Sequence, residues 1–193
     1  MKYGWSFIFL LFLSCSSGLG SKDPVIVDCA PAKPFVDSMH VQTPAPPIKD
    51  SGAGSTVITT GNTRPEQLVG FATTLIGTPY VYGSSDPLKG FDCSGFINYI
   101  FNHFNISVPR SSIDFTHVGT TVPVEQAKTG DLILFTGTDP METNIGHMGL
   151  VISNDTSGLQ FIHATSGKAM AVAITPLNDQ YKKRFVRISR IFH

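Results

Sequence analysis

The stretch Phe91-Asp92-Cys93-Ser94-Gly95-Phe96 decides the fold, because it places one of the chain's 3 cysteines at the start of a predicted helix. Apolar residues recur after it at the three-to-four spacing of a helical face, namely Phe96, Ile97, Ile100 and Phe104. Asp92 then occupies the N-cap, Cys93 lies in the first turn, and Asn105 is predicted to end the helix. The positive end of a helix lowers the pKa of a nearby thiol, which makes Cys93 a candidate nucleophile. A buried structural cysteine fits this position equally well.

An earlier helix is predicted to open the folded domain, which we place at residues 62–193. The sequence Thr63-Arg64-Pro65-Glu66 has the spacing of a capping box, with Thr63 as the N-cap and Glu66 three residues later. One apolar helical face follows, made of Leu68, Phe71, Ala72, Leu75 and Ile76. Gly77 is predicted to end this helix, and a loop rich in Gly, Pro and Tyr continues to Gly90.

The second half of the domain is predicted to be β-structure. Pro109-Arg110-Ser111-Ser112 begins a short helix or turn that ends at Gly119. The predicted strands are residues 132–135, 147–152, 159–164, 171–174 and 184–192. The first of them reads Leu-Ile-Leu-Phe, a continuous apolar run that predicts burial on both sides. Helices followed by antiparallel strands predict an α+β domain, with N-terminal helices packed on a central antiparallel β-sheet.

Two of the histidines are related by a predicted hairpin. Residues 153–158 have the composition of a turn, and a turn centred on Asp155 places His147 directly opposite His163. The Cβ atoms of such a pair lie about 4.5–5.5 Å apart on one side of the sheet. A β-bulge would spoil this alignment, and Gly149 is the candidate bulge site.

A thiol and two imidazoles together meet the minimum requirement for nucleophilic catalysis. One imidazole takes the thiol proton and later gives it to the leaving amine, while the other orients the first. The hairpin alone leaves open which histidine has which role. A Cys-His-His zinc site with a bound water is the alternative, although no further Cys, Asp or Glu nearby has ligand-like spacing.

The chain resembles the NlpC-type cell-wall peptidases, which are compact papain-like cysteine peptidases. The motifs that carry the resemblance occur in the family's order and are Gly77-Thr78-Pro79-Tyr80, Asp92-Cys93-Ser94-Gly95-Phe96, Pro109-Arg110-Ser111, Gly130-Asp131-Leu132, His147-Met148-Gly149 and Phe161-Ile162-His163-Ala164. They cover almost the whole of residues 62–193. The resemblance implies hydrolysis of amide bonds in peptidoglycan stem or cross-link peptides through a thioester, without a metal or organic cofactor.

The resemblance also implies a role for each site residue. Cys93 would be the nucleophile, His147 the base and His163 the orienting residue. Tyr80 would lie beside the nucleophile and contribute to the oxyanion site or to substrate contacts. Asp92 and Ser94 would take part in substrate recognition, although Asp92 also has its role as N-cap.

Three departures from the family pattern affect the predicted cleft. Tyr82-Gly83-Ser84 stands where the family often has Trp-Gly-Gly, and Asp86-Pro87-Leu88-Lys89 lengthens the loop before the cysteine. The stretch 138–144 is also long. We expect these loops to border the cleft and to set substrate specificity. An amidase that cuts between sugar and peptide, and an inactive wall-binding lipoprotein, stay as alternatives.

The N-terminus has the pattern of an export signal followed by a tether. Residues 1–15 contain Lys2 and then an apolar run too short to span a bilayer. Leu13-Ser14-Cys15 resembles a lipobox, although Phe12 stands where Leu is usual, so we expect lipidation of Cys15 over ordinary signal cleavage. Residues 16–61 are rich in Pro, Ser and Gly and predict a spacer. A disulfide between Cys29 and Cys93 is not expected, because Cys29 lies in this spacer.

The net charge and the domain organisation limit which partners and which cellular location we expect. With 14 basic and 14 acidic residues the formal net charge is zero, which argues against nucleic acid as a partner. The single-domain lipoprotein layout resembles the Spr-type murein endopeptidases. We therefore expect a monomer in the cell envelope that meets peptidoglycan peptides and is anchored to a membrane through Cys15.

Overall fold

The order of helices and strands is that of an α+β domain. A computed structural model describes residues 56–193; the predicted signal peptide, Cys15, Cys29 and tether residues 16–55 lie outside them. The elements, in chain order, are α1 Pro65–Thr73, β1 Ser85–Asp86, β2 Gly90–Phe91, α2 Cys93–His103, a 3₁₀ helix Ser112–His117, β3 Thr120–Val122, a 3₁₀ helix Val124–Gln126, β4 Leu132–Thr136, β5 Ile145–Asp155, β6 Gly158–Thr165, β7 Ala171–Pro176, α3 Asp179–Lys182 and β8 Phe185–Arg190.

The central feature is a six-stranded sheet in the order β3-β8-β4-β5-β6-β7. Every neighbouring pair in it is antiparallel, and β1 and β2 form a separate two-stranded ladder. The predicted α+β class, with helices on an antiparallel sheet, is confirmed. Across residues 56–193 no helix combines the length and the apolar character that crossing a bilayer requires.

Strand β4 is buried on both faces, as its continuous apolar run predicts. Leu132 and Leu134 belong to the larger core cluster, which also contains the buried faces of α1 and α2. Ile133 and Phe135 point to the other face and join a second cluster with β8 and β6. Alternation along one strand therefore supplies both cores, and the sheet forms the layer between them.

Helix α2 begins and ends where the sequence predicts. Asp92 has extended backbone angles, and its carboxylate accepts a hydrogen bond from the N–H of Gly95 at 2.6 Å. Cys93 is the first residue of the helix. After the last helical residue, His103, the chain reaches Asn105 with a φ of 57°. Asparagine tolerates this left-handed conformation, which ends the helix.

The predicted ends of α1 are wrong. Arg64 is the N-cap and its backbone N–H donates to the side-chain oxygen of Gln67 at 2.9 Å, so the capping contact lies one residue later than the predicted Thr63–Glu66 box. Proline disfavours helical angles in the residue before it, which places Arg64 outside the helix. The helix ends at Thr73 and does not continue to Gly77. Ile76 is 50% exposed, although it was predicted on the buried face.

The early end of α1 has a local cause. The hydroxyls of Thr73 and Thr74 donate to the carbonyls of Gly70 and Phe71 at 2.8 and 2.7 Å. Such side-chain hydrogen bonds compete with the next helical turn. Leu75 still packs against the larger core, as predicted, because the turns after the helix keep it on that side.

The predicted register of the β5–β6 hairpin is also wrong. Leu150 pairs with Ile162, and Asp155 pairs with Gly158, so residues predicted as turn continue both strands. The turn is centred between residues 156 and 157 and not on Asp155. The bulge lies at Ile152, between Val151 and Ser153, and not at Gly149.

The bulge determines which face the histidines share. If the register next to the turn continued without a bulge, the residue opposite His147 would be an odd number of positions from His163. The two histidines would then lie on opposite faces of the sheet. The extra residue at Ile152 makes the offset even, which returns both side chains to one face. The predicted common face is therefore confirmed, but for a reason that the predicted register did not contain.

The contacts of the folded domain extend to Thr56, within the segment predicted as spacer. The N–H of Thr56 donates to the carbonyl of His117 at 2.8 Å, and the N–H of Gly119 donates to the carbonyl of Thr56 at 3.0 Å. Ile58 packs against the larger core. Residues 56–58 are therefore held by the domain.

The close packing of α2 yields a test with a matched control. A Cβ on Gly95 would collide with the Ser84 carbonyl oxygen and lie 2.8 Å from the Asp92 carboxylate, whereas a Cβ on helical Gly70 meets nothing within 4 Å. Gly95→Ala should lower the free energy of unfolding by about 1–3 kcal/mol, and Gly70→Ala should raise it by up to about 1 kcal/mol. Urea unfolding followed by circular dichroism measures both. Equal effects of the two substitutions would contradict this packing.

Candidate active site

Cys93 lies at the floor of a cleft with its side chain almost completely buried. Its exposed fraction is 9%, and its Sγ lies 3.9 Å from the carbonyl oxygen of Gly146, the residue before His147. The thiol is free of any disulfide within the described residues. The N-terminus of α2 and the first residues of strand β5 therefore lie next to each other at the sulfur.

The thiol is not acidic in this setting, so that prediction is wrong. Burial raises the pKa of Cys93 above its usual value, and the negative charge of Asp92 raises it further. The backbone N–H groups of Ser94, Met148 and Cys93 act in the opposite direction, because they stabilise the thiolate. Burial outweighs the helix N-terminus, and the resting thiol carries its proton at neutral pH.

His147, His163 and Thr175 form a hydrogen-bonded chain. Nε2 of His147 lies 2.8 Å from Nδ1 of His163, and Nε2 of His163 lies 3.0 Å from the hydroxyl of Thr175. The contact leaves Nδ1 of His147 as the ring nitrogen available to the thiol. For Nδ1 to accept a proton, Nε2–H of His147 must donate to His163, whose own Nε2–H then donates to Thr175.

Both imidazoles are neutral at neutral pH. Burial lowers the pKa of His163 from 6.5 to about 4, with a smaller contribution from the charge of Arg184. Burial also lowers the pKa of His147 well below its usual value, and His163 and Arg184 lower it further. A neutral His147 can accept the proton of Cys93, so the arrangement is competent for base catalysis.

Thr175 was missed from the sequence. It lies on β7 opposite Phe161, two pairs along from the pair of His163 with Ala173 and therefore on the same face. Diagonal neighbours at this spacing are within side-chain reach. The contact between His163 and Thr175 follows once the β6–β7 register is known. No sequence pattern in residues 165–171 predicts that register.

The cleft above the sulfur has a volume of about 560 Å³. Its lining combines residues from the predicted loops with those at the sheet end, namely Tyr80, Tyr82, Cys93, Gly137, Thr138, Asp139, Glu142, Gly146, His147, Thr165, Ser166, Gly167, Gln180, Tyr181 and Arg184. The 138–144 loop therefore borders the cleft as predicted. The Asp86–Lys89 insertion does not border the cleft. It forms the connection between β1 and β2, where Nζ of Lys89 lies 3.4 Å from a carboxylate oxygen of Asp86.

The loop from 138 to 144 is closed at its base by two glycines. A Cβ on Gly146 would meet the Cα and N of Gly137 at 2.7 and 2.8 Å. The backbone at residue 137 thus approaches residue 146 more closely than a side chain on residue 146 would allow. The loop projects from this closed base over the cleft.

Tyr80 lies in the cleft with Cys93, as the resemblance implied. Burial raises the pKa of its hydroxyl, and the charges of Cys93 and Asp92 raise it further, while a hydrogen bond with Ser166 opposes them. Its backbone N–H donates to the carbonyl of Met170 at 2.9 Å. The phenol is therefore held beside the nucleophile in its protonated form.

Asp92 and Ser94 lie below the cleft and face Arg110. The Arg110 guanidinium donates to both Asp92 oxygens, at 3.1 and 2.8 Å, and to the Ser94 hydroxyl at 3.1 Å. Neither Asp92 nor Ser94 is among the lining residues. The importance of Arg110 for this site was missed, because only the folded chain reveals which carboxylate it pairs with.

The geometry gives no support to the zinc alternative. Within residues 56–193, no group of three His, Cys, Asp or Glu side chains is arranged to bind a metal ion. The two imidazoles face each other at a hydrogen-bond distance.

The thiol lies at the start of a helix and the histidine pair on an antiparallel sheet, and Cys93 and His147 line the same cleft. Residues 77–190 match the NlpC/P60 family, and the chain belongs to that family. The resemblance seen in the sequence is thereby confirmed. A crystal structure of an NlpC/P60 family protein from Bacillus cereus aligns with a TM-score of 0.59 and 27% identity, over 68% of this chain and 41% of that chain.

Two curated relatives are similar over most of the same region. The gamma-DL-glutamyl hydrolase of Bacillus subtilis is 31% identical over 134 residues, which is 69% of this chain and 32% of that protein. The murein DD-endopeptidase MepS/murein LD-carboxypeptidase of Escherichia coli is 34% identical over 117 residues, which is 60% of this chain and 56% of that protein. The chain therefore spans less than two thirds of the length of either relative.

The protonation state of Cys93 can be measured by alkylation. In a Cys15→Ser/Cys29→Ser variant, where Cys93 is the one remaining thiol, the iodoacetamide rate should rise with pH to a midpoint above the ordinary pKa of a free thiol. The physical reason is the burial that raises the pKa of Cys93. A rate that already reaches its plateau below pH 7 would instead indicate a resting thiolate.

Proposed function

We propose that this chain is an exported cysteine endopeptidase that hydrolyses amide bonds in the stem or cross-link peptides of peptidoglycan. The observation that carries the proposal is the Cys93 thiol in a cleft beside a neutral His147, which His163 holds at 2.8 Å. Family membership supports it, as does the similarity to an Escherichia coli murein endopeptidase.

The proposed chemistry is acyl transfer in two steps. The Cys93 sulfur attacks the amide carbonyl while its proton passes to Nδ1 of His147, and that proton then leaves with the amine. The resulting thioester is attacked by water, which gives a proton to His147. Collapse releases the carboxylic acid, and the proton returns to the thiol. His163 and Thr175 keep His147 in the tautomer that both steps require.

Charge that develops on the carbonyl oxygen needs donors at the start of α2. The backbone N–H groups that face the sulfur are candidates for this role, and the neutral phenol of Tyr80 adds a further donor or a substrate contact. Asp92 and Ser94 lie outside the cleft lining, so we assign them an indirect part in substrate recognition: together with Arg110 they fix the start of α2, which carries Cys93.

Product analysis tests the reaction and its nucleophile together. Purified protein should release new amines from peptidoglycan sacculi, and Cys93→Ala should reduce this release by at least about 1,000-fold. Cys29→Ala, which removes a different thiol, should retain activity. Full activity of the Cys93→Ala protein would exclude the mechanism.

Mass spectrometry of the same digests separates the candidate bonds. An endopeptidase leaves part of each stem peptide on the sugar, whereas an amidase frees whole stem peptides. The similarity to a gamma-DL-glutamyl hydrolase makes cleavage at γ-glutamyl linkages the second outcome to examine. Binding to sacculi without any new amine would favour the inactive wall-binding alternative.

We also propose that residues 1–15 direct export, that Cys15 carries the lipid and that the spacer, predicted for residues 16–61, ends before Thr56, where the contacts of the domain begin. The apolar run before Leu13-Ser14-Cys15 supports this assignment.

Labelling in the native host tests the anchor. Radiolabelled palmitate should enter the wild-type protein but not Cys15→Ala, and Cys15→Ala should move from the membrane to the soluble fraction. An unlabelled wild type and a Cys15→Ala protein that stays on the membrane would both oppose the lipid anchor.

A further inference from the structure

Arg184 brings a cation into the cleft without any partner for it. Its backbone is fixed, because its N–H donates to the carbonyl of Tyr181 at 3.0 Å and its carbonyl accepts from the N–H of Thr136 at 2.8 Å. Its side chain lines the cleft that contains Cys93 and His147. Within residues 56–193, Nε of Arg184 is buried and has no hydrogen-bond acceptor.

The other arginines downstream of Cys93 are held by the protein through their terminal nitrogens: Arg110 by Asp92, Arg190 by Asp131, and Arg187 by Thr121 and backbone carbonyls, although Nε of Arg187 is also buried without an acceptor. Among the described residues, Arg184 forms no ion pair and no side-chain hydrogen bond. Its guanidinium lies over the ring of Tyr181, whose centroid is 5.7 Å from Cζ. A ring contact leaves the N–H edge of a guanidinium unused, and an unpaired cation in a partly buried site is costly unless a ligand supplies the anion.

The position of Arg184 relative to His147 indicates which part of a substrate it meets. The Tyr181 ring stacks on the His147 ring at 6.2 Å, and Arg184 lies over the same tyrosine. In the proposed reaction, His147 gives its proton to the leaving amine. Residues around this imidazole therefore face the half of the substrate that departs with the amine.

The charge of the neighbouring lining residues limits the kind of anion. Asp139 and Glu142 line the same cleft but neither forms an ion pair with Arg184 in the described chain. Their negative charge disfavours a phosphate or a polyanion. A single carboxylate, which a guanidinium binds through two parallel N–H···O bonds, fits this arrangement.

We propose that Arg184 binds a free carboxylate on the residue that supplies the leaving amine, so that the cleft selects peptides with an acid and not an amide at that residue. This inference rests on the proposed function and specifies its substrate further.

One consequence of the proposal concerns the basicity of His147. The charge of Arg184 contributes to the low pKa of His147, and a bound carboxylate neutralises that charge. His147 becomes a stronger base when the substrate is in place.

The test uses two synthetic peptides that differ in one group. Both contain the bond identified by product analysis, and the residue that supplies the amine carries either a free carboxylate or a primary carboxamide. Full-length wild type, Arg184→Gln and Arg184→Lys are compared, with Lys183→Gln as the control that removes an exposed charge one residue away. The readout is the ratio of kcat/KM for the acid to kcat/KM for the amide.

Wild type and Lys183→Gln should favour the acid by about tenfold or more, which is the scale of a charge-assisted pair. Arg184→Gln should bring the ratio close to one, mainly through KM for the acid, and Arg184→Lys should give an intermediate ratio. A general disturbance of the site lowers both rates and leaves the ratio unchanged. An unchanged ratio in Arg184→Gln, or a wild type without acid preference, would overturn the proposal.

Binding separates this inference from the proposed function. The proposed function fails if wild type releases no amine from sacculi, and calorimetry of Cys93→Ala with stem peptides that differ in the same acid or amide group then decides on Arg184. Tighter binding of the acid that disappears in Cys93→Ala/Arg184→Gln supports the carboxylate site. Equal binding of acid and amide, or an acid preference that survives in the double variant, overturns it.

Discussion

The carboxylate of Asp92 is the constraint on which the catalytic region depends. It caps helix α2 through the N–H of Gly95 and holds the guanidinium of Arg110 on both oxygens. A buried carboxylate is tolerated only where such donors satisfy it. The start of the helix fixes the position of Cys93, so the same side chain places the proposed nucleophile and the ion pair. Burial and then the same charge raise the pKa of the thiol, and the proposed mechanism starts from a protonated cysteine and a neutral imidazole.

A single inserted residue places the proposed base. The bulge at Ile152 moves His147 and His163 to a common face, and the chain of contacts to Thr175 then fixes their tautomers. Burial keeps both rings neutral, so the proton of Cys93 moves only when the sulfur attacks. A bulge near an active site is thus a functional element of the sheet and not an irregularity of it.

Local patterns predicted the parts of this fold that local chemistry determines. The cap at Asp92, the helix after it and the doubly buried strand β4 follow from spacing and composition within about ten residues. The hairpin register, the bulge and the partners Arg110, Thr175 and Arg184 did not, because each depends on how distant strands align. Thr63 failed as a cap because the conformational effect of Pro65 on Arg64 outweighs the Thr-x-x-Glu pattern. Burial, which reverses the expected acidity of Cys93, is also a property of the whole fold.

The closed base of the 138–144 loop allows the two walls of the cleft to differ in how freely their sequences can change. The pairing of Thr136 with Ile145 joins the strand ends below the loop, and Gly146 allows their close approach; the cost of closing a loop grows only slowly with its length. Natural variation can therefore lengthen, shorten or replace this loop while β4 and β5 keep their alignment. The segment around Tyr80 lacks this freedom, because its backbone is hydrogen-bonded to the chain around β7. The wall formed by the 138–144 loop can thus change in length and sequence among relatives. The wall around Tyr80 can change only together with the strand to which its backbone is hydrogen-bonded.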